Sequence, residues 1–116
     1  MGFWRKEVID FALDQETERH RREQLEWIQR EPSNPQPYHH LAQLYRIQGK
    51  QEEGLALLLE AVRLDATFAD AHVALVEIYA VRDDYVAAWR HGRAAERYGK
   101  TAGVELLMRY GIAEPQ

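Results

Sequence analysis

The ten residues LAQLYRIQGK (Leu41–Lys50) return 34 positions later, loosely respelled, as LVEIYAVRDD (Leu75–Asp84). The same shift aligns Gly54 with Ala88 and Ala61 with Ala95. Within the first copy Tyr38, Leu41, Ala42 and Tyr45 recur at helical spacing, and Asn34 followed by Pro35 supplies an N-cap and a first-turn proline. That helix should stop at Gly49. The next run, EEGLALLLEAVRLD, is apolar nearly all round, which predicts burial on more than one side. Thr67 is the expected N-cap of a helix from Ala69 to Arg82, with Asp70 in its first turn where a carboxylate suits the dipole. A partner helix is expected from Tyr85 to Tyr98, divided from it at Asp83–Asp84, and a short one from Thr101 to Tyr110 that ends at Gly111. Helix formers dominate and β-branched runs are missing, so the chain reads as all-α.

Composition narrows the function. The chain has 116 residues, 46% apolar and 29% charged, the balance of a globular domain with a core of its own. No apolar run approaches the ~18 residues of a membrane span, and the start, MGFWRKEVIDF, lacks the continuous apolar core of a secretory signal. The cytoplasm is the expected compartment. There is no cysteine, which removes thiolate zinc sites and thiol nucleophiles, and the formal net charge of −4 argues against a nucleic-acid surface spread over the whole protein.

A 34-residue helix-turn-helix period resembles the tetratricopeptide repeat, whose pattern is an aromatic, Leu, a small residue and Tyr on the first helix, small and aromatic residues on the second, and a closing proline. Here those places hold Tyr38, Leu41, Ala42, Tyr45, Gly54, Leu58, Ala61 and Ala66, then His72, Leu75, Val76, Tyr79, Ala88, Gly92, Ala95 and Lys100. The closing proline is absent from both copies, and His72 and Gly92 stand where aromatics are usual. The resemblance implies a helical-hairpin solenoid: a degenerate N-terminal unit at 1–34, full repeats at 35–68 and 69–102, and a capping helix and tail at 103–116. It also implies a concave groove lined by the first helices. On the first copy that stripe is Gln36, His39, Gln43, Arg46 and Ile47; on the second it is Asp70, Val73, Glu77, Ala80 and Val81. Family members that hold the carboxylates of chaperone tails use lysines and asparagines on this face. The residues present here suit an extended peptide held by mixed polar and apolar contacts.

In the N-terminal unit the close-approach places would hold Val8, His20 and Trp27, too large for a tight hairpin crossing. No Gly or Pro interrupts residues 4–31, so a single long helix is one outcome. The expected one is a second helix over Thr17–Arg30 that packs on the next copy through Leu25, Trp27 and Ile28. Trp4, Val8 and Phe11 share one apolar face. It caps its own domain or, as the competing reading, joins two copies into a homodimer. A membrane-surface role is disfavoured, since Arg5 and Lys6 supply little of the basic face needed.

The remaining chemistry is sparse. Glu16, His20 and Glu23 share a face, a triplet common on charged helices, and no two histidines are spaced four apart, so no metal is expected. Arg90, Arg93, Arg97 and Lys100 line one helix toward its C-terminus and read as a solvated face rather than a nucleic-acid site. Without a phosphate loop, nucleophile elbow or ligand cluster, neither enzyme nor cofactor is expected. The function expected is protein or peptide binding.

Overall fold

The structure, a computed structural model, describes the backbone of residues 5–116 and the side chains of Lys6 and residues 12–116. Among the described residues six helices follow in order: α1 (Arg5–Arg30), α2 (Pro35–Ile47), α3 (Gln51–Leu64), α4 (Ala69–Val81), α5 (Tyr85–Arg97) and α6 (Ala102–Arg109). The described residues contain no strand, and none of their helices is long and apolar enough to cross a membrane. α2 with α3 and α4 with α5 form two hairpins; α3 packs on α4, α1 on α2, and α6 on both α5 and α4.

The local signals act as the sequence suggests at most ends. Asn34 caps α2 by accepting the Gln36 N–H at 3.0 Å, and Asp84 caps α5 by accepting that of Ala87 at 3.1 Å. One stop motif recurs four times: the N–H of the third residue past the helix returns to the carbonyl five residues back. The pairs are Lys50 to Tyr45, Asp84 to Tyr79, Lys100 to Ala95 and Ile112 to Leu107, at 2.8 to 3.0 Å. The residue before each donor must turn left-handed, which suits Gly49, Gly99 and Gly111; Asp83 does the same at φ 60° with a Cβ present. Thr67 does not cap α4. Its N–H and hydroxyl both donate to Asp65 Oδ1, at 2.9 and 2.6 Å, so Asp65 organises the turn and α4 begins after Phe68 with no side-chain cap.

The four small positions at the helix crossings are all buried: Gly54, and Ala61, Ala88 and Ala95 at 0% exposure. A Cβ on Gly54 would stand 2.8 Å from Arg46 Cγ, so the missing side chain is what lets the Arg46 stem cross there. The core has two parts. One joins Ala42, Leu58, Ala61, Ala71, Ala74, Leu75 and Ile78; the other joins Val76, Ala88, Trp89, Val104 and Leu107. α4 contributes to both. It, rather than α3, is the helix enclosed on opposite sides: α3 fully buries only Gly54, Leu58 and Ala61, and its Leu59 remains exposed.

The N-terminal unit also differs from the two-helix expectation. α1 runs without a break through Thr17, whose hydroxyl bonds back to the Leu13 carbonyl at 2.9 Å. Local ion pairs sustain this polar stretch, Glu16 and Glu23 with Arg19 and Glu18 with Arg21, and the His20 ring lies against both Glu16 and Glu23. Such pairs at i,i+3 and i,i+4 support a helix with little core contact. Leu25, Trp27 and Ile28 are half-buried as expected, and the Trp27 ring stacks on His40 at 6.2 Å. The Trp4, Val8 and Phe11 side chains lie outside the described residues.

Candidate functional site

On α2, the residues His39, Gln43 and Arg46 follow one another by four and three, which stacks them along a single face. Their polar atoms form a relay. The Gln43 amide donates to His39 Nε2 at 3.3 Å, Arg46 donates to Gln43 Oε1 at 3.4 Å, and the other arm of the same guanidinium reaches Glu77 on α4 at 3.0 Å. Burial, and secondarily the neighbouring His40, holds the His39 imidazole below its ordinary range, which favours the neutral ring that accepts from Gln43. Phe68 meets the same ring edge-on at 5.5 Å. Glu77 therefore ties the first hairpin to the second while remaining half open to solvent.

Two hollows flank Glu77. One, about 300 Å³, lies between the ends of α2 and α4, with Arg46, Gln51, Glu77, Ile78, Val81 and Arg82 around it. Arg82 bridges to Glu52 of α3 at 2.7 Å and closes its far side. The other, about 430 Å³, separates α4 from α6; Glu77, Ala80 and Val81 form one wall, and Tyr85, Leu106, Leu107, Tyr110 and Ile112 the rest. The side chains around this trough are apolar but for Glu77 and the phenols of Tyr85 and Tyr110, and the Tyr85 hydroxyl donates to Asp83 Oδ1 at 3.0 Å. Val81 is 85% exposed and Tyr110 71%, an uncovered apolar surface at a cleft.

Of the ten residues expected to line a groove, Arg46, Glu77, Ala80 and Val81 line these hollows, and His39 and Gln43 join them through the relay. Gln36, Ile47, Asp70 and Val73 line neither hollow. Asp70 instead meets Lys100 at 3.5 Å. The α6 side was not anticipated, because Thr101–Tyr110 reads as a cap; the available signal was Leu106 and Tyr110, four apart and off the face that Val104 and Leu107 bury. The tail holds Ile112 in place: the Trp89 indole donates to the Ile112 carbonyl at 3.1 Å, and Arg93 grips Glu114 at 2.7 and 3.1 Å.

Other candidates resolve into local pairs. Arg93 also bonds Glu96 and lies over the Trp89 ring, and Arg97 lies over Tyr98. His20 sits between its two glutamates, at 3.2 Å from Glu16 and 3.4 Å from Glu23, and among the described residues no group of three or more His, Asp or Glu side chains is placed to hold a metal. Comparisons with protein-family models, curated proteins and solved structures find no match to this chain.

Proposed function

We propose that this protein is a peptide-binding module of the tetratricopeptide kind, a short helical solenoid that captures an extended protein segment without chemistry of its own, in the cytoplasm. The observation that carries the reading is the trough beside Glu77, Ala80 and Val81, where residues expected to line a groove border an open apolar hollow. Its size has room for large aliphatic or aromatic side chains of the guest, and Glu77 is at hand for the guest backbone. The solenoid reading draws support from bonds repeated at 34 residues. Tyr38 hydroxyl donates to the Pro32 carbonyl at 3.0 Å, and His72 Nε2 meets the Ala66 carbonyl at 2.8 Å.

Selection from a displayed peptide library, followed by fluorescence polarisation on the winners, tests this. Val81→Glu and the double change Gln43→Lys with Glu77→Lys should each weaken binding at least ~10-fold, while Arg90→Glu on the opposite hairpin helix should not. Winners that bind the trough variants as tightly as the parent would reject the groove.

A second reading is self-assembly through α1. At 26 residues α1 spans about 39 Å, twice the 13-residue α2 on which it packs, and Leu13 on its forward half is 59% exposed. Removing residues 1–15 should then turn a dimer into a monomer by solution mass; a dimer that persists excludes this reading.

A further inference from the structure

His72 and His91 face each other across the second hairpin, both buried, with their Nδ1 atoms 2.9 Å apart. The far side of His72 fixes its proton. Nε2 lies 2.8 Å from the Ala66 carbonyl oxygen, which can only accept, so Nε2 carries hydrogen and, in the neutral ring, Nδ1 is bare. His91 must then donate from Nδ1, which is the less usual tautomer. Tyr79 also stacks on its ring, 5.6 Å away and 3° from parallel. The first hairpin has the same carbonyl bond but no such pair: Tyr38 occupies the place of His72, and Leu57 that of His91.

We propose that the His72–His91 pair is an acid-sensitive latch that holds α5, and with it α6, on α4. The neutral pair makes one N–H···N bond. One added proton can still be shared within it, with His72 donating and the His91 proton moved to Nε2. A second proton leaves two N–H groups pointing at each other in a buried space, and the bond is lost. Arg90 on α5 adds positive potential at His91, Tyr79 on α4 offers its ring face, and Asp65 in the α3–α4 turn lies in the field of His72. Asp70, two residues before His72, is engaged by Lys100. From α6, Val104 and Leu107 approach the adjacent Gly92, an apolar contact that offers an added proton no counter-charge.

Burial, then His72, then Arg90 push His91 down to about 4. An unfolded histidine titrates near ~6.5, so the neutral fold is fully stable above that pH and loses stability as pH falls toward the folded value. On His91 alone the folding constant should fall about 20-fold from pH 7 to pH 5. His39, also held low by burial, contributes in the same direction and serves as the comparison.

Three measurements on the full chain test the latch. Nitrogen NMR of the imidazoles at pH 7 should find His72 protonated at Nε2 and His91 at Nδ1, with His91 still neutral at pH 5; His91 titrating at its ordinary value overturns the proposal, and so does the opposite tautomer. Urea unfolding of His91→Asn, which keeps a donor near the Nδ1 place, should lose the larger share of the pH 7 to 5 dependence and His39→Asn a smaller one; equal losses, or a larger one at His39, overturn the proposal. If His91→Asn does not fold, the NMR result decides alone. Hydrogen exchange at pH 5, corrected for intrinsic rates, should show protection lost first in α5 and α6; uniform loss over all helices would mean a global stability effect and no latch.

Discussion

The two hairpins share a backbone plan and differ in what they place at equivalent points. Tyr38 and His72 both bond the carbonyl of the preceding turn, yet the phenol ends the chain of contacts whereas the imidazole passes it on to His91. Gly49 and Asp83 both turn left-handed, one without a side chain and one despite it. Gly54 makes room for the Arg46 stem; its counterpart Ala88 is buried against α4 and α6 residues. The difference teaches that the period fixes where helices start, cross and stop, while the titratable and recognition chemistry sits in the residues that break the period.

The comparison can be strained in four ways. Leu75→Ala empties a site that is fully enclosed within α4, and should cost about 2 to 5 kcal/mol in urea unfolding. A smaller loss than that of Leu41→Ala, its equivalent, would deny α4 its central place. Ala61→Leu and Ala95→Leu should each cost about 1 to 3 kcal/mol, since both crossings are closed to solvent. Unequal losses would show that one hairpin yields more easily. At the turns the signs should oppose: Gly49→Ala lowers stability by about 1 to 2 kcal/mol, whereas Asp83→Gly raises it by about 0.5 kcal/mol. Tyr38→Phe should cost about 0.5 to 1.5 kcal/mol, equally at pH 7 and pH 5. A pH-dependent loss there would erase the contrast with His72.

Much of the architecture was legible because helical periodicity and small residues at 34-residue spacing report directly on crossings. The four bare positions, the Asn34 cap and the glycine stops all lie where that pattern puts them. What escaped had a physical reason in each case. A single α1 follows from ion pairs that sustain the helix through residues 14–24, which carry no apolar side chain and so leave no mark in apolar periodicity. Asp65 outcompetes Thr67 because its carboxylate can accept two donors of the same residue. The α6 wall and the histidine pair arise from contacts between distant segments, 19 residues apart for His72 and His91, and no local spacing encodes them. Arg46 and Glu77 were both expected in the groove; that they would pair with each other was not.

Because α4 furnishes side chains to both apolar clusters, neither cluster has a complete wall without it. Once that rod frays, the residues it covers on both flanks meet water together, so heating should register as one calorimetric event with matching van't Hoff and measured enthalpies. Its amide protons should be the slowest in the molecule to trade for deuterium.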